Sequence, residues 1–97
     1  MVEQFEVIWS SQAELDLQNI LSFWLEYNKS IIFPEKLYHE ILDATENLVQ
    51  NPYFGKNIQS EEYRRILVRY YLIIYRIEKY QIRILRIWDG RQKELNV

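Results

Sequence analysis

Arginine is the residue type in this chain with the clearest capacity for chemistry, and every arginine lies between Tyr63 and Arg91. A planar guanidinium group binds phosphate or carboxylate oxygens in pairs, so it stabilises negative charge well. It stays protonated, so it serves poorly as a general acid or base. The segment therefore predicts a cationic surface for an anionic ligand or a partner. Its candidate binding residues are Arg64, Arg69, Arg83, Arg86, Tyr71 and Trp88, and its foremost candidates for functional charge are Arg65 and Arg91.

The charge of the chain is divided unevenly along its length. Residues 1–55 contain two basic and nine acidic groups, a net charge of −7, whereas residues 56–97 contain ten basic and five acidic groups, a net charge of +5. The acidic part would repel nucleic acid and turn the basic part towards an anionic partner. The overall charge is −2 and the isoelectric point is near 5.4. General affinity for nucleic acid is therefore expected to be weak.

Composition excludes several classes of site. Ninety-seven residues, 48% of them apolar, suffice for one domain, which is predicted to span residues 1–97. The chain has no cysteine, which excludes disulfides and thiolate metal sites. His39 is the single histidine and is expected to be a solvated helix residue. No metal or cofactor is expected.

The sequence also bears on compartment. The N-terminal residues include Glu3 and Glu6 in place of the basic stretch and apolar run of a secretory signal. No apolar run reaches the length of a membrane span. We therefore expect a cytoplasmic protein without a membrane partner.

The first half of the chain predicts one strand and two helices. Alternation in residues 4–9 indicates the strand. A capping box from Ser11 to Glu14 predicts the start of a helix that continues to about Tyr27. After a polar break, apolar residues at three- and four-residue spacing predict a second helix. Its bounds are Ile32 or Pro34 at the start and Asn51–Pro52 at the end.

The second half changes to the period of β-strands. Alternation places Ile66 and Val68 on one side of a strand, with Arg65, Leu67 and Arg69 on the other. Residues 70–77 are almost wholly apolar and predict an inner strand, and residues 82–87 predict the last strand after a polar turn.

The predicted architecture is an α+β domain in the order β-α-α-β-β-β. A helical hairpin is expected to pack on one face of a mainly antiparallel twisted sheet, because two amphipathic helices must bury their apolar stripes. The opposite face is then free and carries some of the arginines and tyrosines.

Five stretches, taken in order, resemble the RelE/ParE toxin superfamily, whose members are often called plasmid stabilisation proteins. The match spans nearly the whole chain. The stretches are Ser10 to Leu17, Leu48 to Gly55, Tyr63 to Val68, Leu72 to Ile77 and Ile84 to Arg91.

The resemblance implies the toxin of a type II toxin–antitoxin system, which inhibits growth when free of its antitoxin. It implies a small cognate antitoxin as partner, with an acidic segment that folds on the toxin. A heterotetramer or a homodimer is the implied assembly. Two activities occur among such toxins: RelE-like members cleave mRNA in the ribosomal A site, and ParE-like members act on DNA gyrase.

RNA cleavage needs a base, an acid and positive charge around the phosphorane. The resemblance places catalytic charge at Arg65 and Arg91, but the third-strand arginine of the nucleases is Leu72 here. After Arg91 there is no tyrosine or histidine, and Glu94 is the one downstream acid–base candidate. This incomplete set favours ParE-like, gyrase-directed action over a RelE-like ribosome-dependent endoribonuclease.

Several alternatives remain open at the level of sequence. Tyr70, Tyr71 or Glu62 would restore acid–base capacity if one of them faced the arginines. The arginines singly fit ordinary solvated positions, and Trp88 fits packing at the core edge. The chain also fits a degenerate, non-toxic binding module or a homodimeric structural domain.

Overall fold

The computed structural model describes residues 4–91, which form two helices and one sheet. The elements are β1 (Glu6–Trp9), α1 (Ser11–Asn28), α2 (Ile32–Asn47), β2 (Lys56–Ile58), β3 (Ser60–Val68), β4 (Tyr71–Glu78) and β5 (Gln81–Asp89). The predicted α+β class and element order are confirmed, with β2 added. The sequence did not reveal β2, because a three-residue strand is too short to show alternation.

The five strands form one mixed sheet in the order β1-β5-β4-β3-β2. The neighbours from β2 to β5 are antiparallel, and β1 runs parallel to β5. Leu85 is an extra residue in β5, because Ile74 pairs with Arg86 while Tyr75 pairs with Ile84. Such a bulge bends the strand locally.

Both helices pack on one face of the sheet, as predicted. Their buried residues, including Leu17, Leu37 and Ile41, share one core with alternate residues of the inner strands. The strand residues in this core are Ile66, Val68, Tyr71, Ile73, Tyr75, Ile82, Ile84 and Ile87. Because successive residues of a strand face opposite sides, the residues between them lie on the face away from the helices. We call that side the open face.

Helix α1 starts one residue earlier than the predicted capping box requires. Ser10, in an extended conformation, is the N-cap, and its hydroxyl accepts a hydrogen bond from the Ala13 N–H at 3.0 Å. The same hydroxyl donates to the Leu85 carbonyl at 3.0 Å, which fixes the helix start against β5. Ser11 is therefore already helical, and Glu14 lies one position beyond the place from which a capping box reaches back.

Helix α2 ends at Asn47, not at the predicted Asn51–Pro52. The backbone N–H groups of residues 48–50 instead bond to carbonyls three residues earlier, at 3.0–3.2 Å. The last turn is thus tightened beyond α-helical geometry. Within residues 4–91, neither helix is both long and apolar enough to cross a membrane.

Candidate functional site

The open face holds three rows of paired side chains that cross the central strands. Alternation along each strand and the register between strands place them there. The rows are Leu67, Leu72 and Trp88; Arg65, Ile74 and Arg86; and Arg76, Arg83 and Ile8.

The open face has an apolar centre. Leu72 and Ile74 are only 8% and 1% exposed, although neither belongs to the core beneath the helices. Their long neighbours, the arginines and Trp88, shield them from solvent. Leu67 in the same row is 64% exposed. The face is therefore an apolar layer largely covered by arginine side chains and Trp88, with Leu67 exposed at its margin, not the uniformly cationic surface that alternation alone suggests.

Arg65 and Arg83 are the predicted site residues that the fold leaves most available on this face. Neither forms an ion pair with any carboxylate that the structure describes. Arg65 is paired across the ladder with Lys56 of β2, a like charge. Arg83 donates one hydrogen bond to the Gln81 Oε1 at 2.9 Å.

Arg76 also lies on the open face, and the sequence did not single it out. Its guanidinium lies 3.3 Å from Glu62 Oε1 and 3.2 Å from Glu78 Oε2, so its charge is compensated. Alternation from Leu72 through Ile74 would have placed it here, but the apolar run of β4 obscured that period.

Arg86 is held by a buried carboxylate of α1. It donates to the two oxygens of Asp16 at 2.8 and 3.3 Å and lies 5.0 Å from the Trp88 ring centre. Asp16 also accepts the backbone N–H of Ile87 at 2.9 Å. Burial raises the pKa of Asp16, but these hydrogen bonds outweigh burial and hold the pKa below its usual value.

Arg64 lies on the helix side of the sheet, since its ladder partner is the buried Tyr75. Its guanidinium donates to the carbonyls of Gly55 at 2.7 Å and Tyr53 at 3.2 Å. Arg64 therefore secures the loop between α2 and β2, and the structure does not bring it together with Arg65.

Arg69 and Arg91 lie at one end of the sheet, outside the three rows. Arg69 occupies the turn between β3 and β4 and forms a bidentate pair with Glu40 of α2, at 2.7 and 2.9 Å. Its predicted position on the strand face is wrong, because the strand ends at Val68. Arg91 pairs with Asp89 at 2.6 and 2.9 Å and stacks 4.0 Å from the Tyr70 ring centre. This pairing raises the pKa of Arg91 and lowers that of Asp89.

Among the predicted aromatic residues, Trp88 lies on the open face and Tyr71 does not. Tyr71 is 3% exposed on the helix side, and its hydroxyl accepts the Trp24 Nε1–H at 2.6 Å. Burial raises the pKa of the Tyr71 phenol. Trp88 is half-buried, so its side chain is partly packed and partly exposed to solvent.

The acid–base candidates are placed apart. Glu94 lies outside the described residues. His39 is exposed on α2, across the sheet from the open face. Glu62 forms an ion pair with Arg76. Tyr63 lies two residues before Arg65 on β3, so the two side chains lie on the same face of the sheet.

A family model described as the ParE toxin of type II toxin-antitoxin system, parDE, matches residues 7–94. The chain belongs to this ParE toxin family. No curated protein sequence matches it.

Solved structures share the ParE fold of this chain. The chromosomal ParDE toxin–antitoxin system from P. aeruginosa matches with a TM-score of 0.74 at 21% identity, over 86% of this chain and 92% of that one. The RelBE2 toxin–antitoxin complex from Mycobacterium tuberculosis matches with a TM-score of 0.66 at 19% identity, over 88% and 96%. The E. coli DinJ-YafQ complex matches with a TM-score of 0.54 at 17% identity, over 92% and 96%.

Membership of the ParE family makes this chain the toxin member of a type II toxin–antitoxin module. The open face remains the place where several of its candidate charges lie beside an exposed apolar side chain, Leu67. Arg65, Arg83, Arg86 and Trp88 lie there, whereas Arg64, Arg69, Tyr71 and Arg91 lie elsewhere.

Proposed function

We propose that this ParE family toxin inhibits growth by binding DNA gyrase through the open face, without cutting RNA. A cognate antitoxin encoded beside it holds it inactive. The observation that carries this proposal is the apolar row of Leu67, Leu72 and Trp88, framed by arginines. Tryptophan and arginine are enriched among the residues that contribute most to binding at protein–protein interfaces.

The chemistry of the same face supports a binding role. Arg65 and Arg83 supply positive charge but cannot move protons. The Glu62 carboxylate is engaged by Arg76, while Tyr71 is buried on the helix side. Leu72 occupies the middle of the apolar row, at the position where the resemblance to the RelE-like nucleases implies an arginine.

The antitoxin part of the proposal rests on family and charge. The neighbouring structures from P. aeruginosa, M. tuberculosis and E. coli are described as toxin–antitoxin systems or complexes. The +5 charge of residues 56–97 in this chain suits an acidic segment of such a partner. Heterotetrameric or homodimeric assembly remains a prediction, which light scattering of the purified complex would measure.

Induced expression in bacteria, followed by assays with purified gyrase, tests the function. We expect growth arrest and accumulation of gyrase-dependent DNA breaks or loss of supercoiling. Trp88→Ala should weaken the effect on gyrase at least about tenfold, as truncation of an interface tryptophan commonly does. Lys79→Ala, at an exposed turn cation, is the matched control and should leave the effect unchanged. Full gyrase activity at saturating toxin would contradict gyrase-directed action.

A second candidate is a RelE-like ribosome-dependent endoribonuclease. It is favoured by one observation: Tyr63 shares the open-face side of β3 with Arg65, and the Glu62 carboxylate reaches Arg76 at 3.3 Å. Incubation with translating ribosomes and primer extension of the mRNA separates the two. Cleavage in the A site that is lost in Glu62→Gln or Tyr63→Phe would establish the nuclease and exclude the binding mechanism.

Absence of any toxicity, together with tight binding to the product of the neighbouring gene, would identify the degenerate binding module. A salt-independent homodimer without such a partner would identify the structural domain.

A further inference from the structure

Among residues 4–91, three arginines each lie between a carboxylate and an aromatic ring. The sets are Asp16 with Arg86 and Trp88, Glu40 with Arg69 and Phe33, and Asp89 with Arg91 and Tyr70. In each set the guanidinium carbon lies 4.0–5.1 Å from the ring centre, within the range of a cation–π contact. Of these three rings, Trp88 is the one that lies on the open face, where the proposed function places target binding.

The Asp16 carboxylate accepts four hydrogen bonds from the described residues. Its Oδ2 accepts the Ile87 N–H at 2.9 Å and the Arg86 Nε–H at 2.8 Å. Its Oδ1 accepts from Arg86 Nη2 at 3.3 Å and from Gln12 Nε2 at 3.1 Å. The bond to Ile87 alone would close the backbone edge of β5. The two bonds to Arg86 have a separate consequence, because they fix the plane of the guanidinium group.

Trp88 lacks the restraints that commonly fix a partly buried tryptophan. Its indole N–H is covered and finds no acceptor among residues 4–91, whereas Trp24 donates to a tyrosine hydroxyl at 2.6 Å. Pairing of β5 with β1 ends at Ile84, so no strand of the described chain flanks Trp88 on the side away from β4. The guanidinium of Arg86, 5.0 Å from the ring centre, is therefore a principal support of the indole.

The guanidinium and the indole remain accessible to a partner although Arg86 is paired. The Arg86 side chain is 42% exposed, because Asp16 occupies one edge of its fork, and Trp88 is half-buried beside it. Arginine and tryptophan are the side chains that most often dominate binding energy at protein interfaces. Holding them in one conformation before binding reduces the entropy that is lost on association and so increases affinity.

We propose that Asp16 is a positioning residue for target binding, which fixes the orientation of the Trp88 indole on the open face by holding Arg86. This rests on the proposed binding of gyrase through Trp88. Asp16 itself does not reach the target, because its side chain is only 10% exposed. When Arg86 is released, the indole takes up other orientations and the target binds more weakly.

Fluorine NMR of the free toxin labelled with 5-fluorotryptophan tests the positioning without any target. The chain has three tryptophans, and Trp88→Phe identifies the signal of Trp88. In Asp16→Asn, the amide oxygen still accepts the Ile87 N–H, but the amide NH₂ faces the donors of Arg86 and releases them. We expect the Trp88 signal to move towards that of the free amino acid while the Trp24 signal stays in place. An unchanged Trp88 signal overturns the proposal.

Arg86→Lys distinguishes positioning from closure of the β5 edge. Lysine keeps the positive charge but lacks the planar fork that binds both carboxylate oxygens and stacks on an indole. The bond from Ile87 to Asp16 is retained, so the Ile87 amide should exchange with solvent as slowly as in the wild type. We expect the Trp88 signal to move as it does in Asp16→Asn. A signal that moves in Asp16→Asn alone would mean that Asp16 only closes the edge, and would overturn the proposal.

A double-mutant cycle with purified gyrase measures the consequence for binding. Asp16→Asn should weaken the affinity about fivefold in the wild-type background but less than about twofold in the Trp88→Ala background. Equal effects in the two backgrounds would mean that Asp16 acts independently of Trp88, and the proposal would fail. Glu40→Gln releases Arg69 from the corresponding arrangement away from the open face. It is the matched control and should bind gyrase within about twofold.

Failure of the proposed function gives a different pattern of results. If the wild-type toxin does not bind gyrase, but the Trp88 signal moves in Asp16→Asn and in Arg86→Lys, gyrase-directed action is refuted and the orientation of Trp88 by Asp16 stands. If gyrase binds the toxin and the Trp88 signal is unchanged in both variants, the positioning is refuted and gyrase-directed action stands.

Discussion

Strands β5 and β3 each continue beyond the end of a neighbouring strand. The two strand edges left there differ in what covers them. On β5, pairing with β1 stops at Ile84, and α1 then closes the edge: Ser10 binds Leu85 and Asp16 binds Ile87. On β3, pairing with β2 stops at Arg65, and nothing in residues 4–91 pairs with Leu67 on that side. The β5 edge also has opposite charges in contact, whereas the β3 edge has like charges opposed.

This difference separates structural from functional charge. Four arginines bind carboxylates of this chain, and three of them, Arg69, Arg86 and Arg91, hold turns and edges in place. Arg65 and Lys56 gain nothing from each other in the free toxin. An uncompensated cationic pair directly across a ladder reduces the stability of the free chain.

Removal of the carboxylate that closes the β5 edge should have the largest effect. In Asp16→Ala, the Ile87 N–H loses its acceptor and Arg86 loses its partner, which should lower the free energy of unfolding by about 2–3 kcal/mol. Urea unfolding measures this. Gln18→Ala, exposed on the same helix, should change it by no more than about 0.5 kcal/mol. If Asp16→Ala lost no more stability than Gln18→Ala, the contacts of Asp16 with β5 would not stabilise the fold.

The second-largest loss of stability should come from releasing the loop before β2. Tyr75→Phe removes the hydroxyl that joins Gly55 to Pro52 and leaves the buried Gly55 N–H unpaired. We expect a loss of about 1–2 kcal/mol. Tyr80→Phe, at an exposed turn, is the control. Equal stability of the two variants would show that the open β3 edge does not depend on this anchor.

The stabilisation that Asp16 provides at the β5 edge should also decrease at low pH. The pKa of Asp16 is lowered by folding, so its contribution is complete above the unfolded pKa near 3.8 and is lost as the pH falls through the folded value. The stability difference between the wild type and Asp16→Asn, on the order of 1 kcal/mol at neutral pH, should therefore shrink below about pH 4. A difference that is constant from pH 7 to pH 2.5 would show that the carboxylate charge adds nothing.

The smallest expected change in stability is an increase. Lys56→Glu replaces the repulsion across from Arg65 by attraction and should raise the stability of the free toxin by about 0.5 kcal/mol. Thermal unfolding detects this against Lys79→Glu, which has no such partner. A destabilised Lys56→Glu would mean that the two cations are not strained against each other.

Local patterns predicted the elements well and the site incompletely. The helices and long strands follow from apolar spacing, which the core of the sheet and helices enforces. The N-cap at Ser10 could not be separated from Ser11 by sequence, because the choice depends on the contact with Leu85 across 75 positions. The position of Arg69 was predicted wrongly because β3 ends at Val68. Arg76 was not predicted because the apolar run of β4 shows no alternation that would assign it to one face of the sheet.

The sequence by itself determined the α+β class, with an acidic helical part and an arginine-rich sheet part, since composition and periodicity are local properties. Only the tertiary structure decided which of those arginines are free. Arg86 is neutralised by Asp16, 70 positions away along the chain, and Arg65 lies opposite Lys56 of another strand, whereas Arg91 pairs with nearby Asp89. Charge compensation depends on proximity in space, and proximity is set by strand register and helix packing, which no local pattern contains.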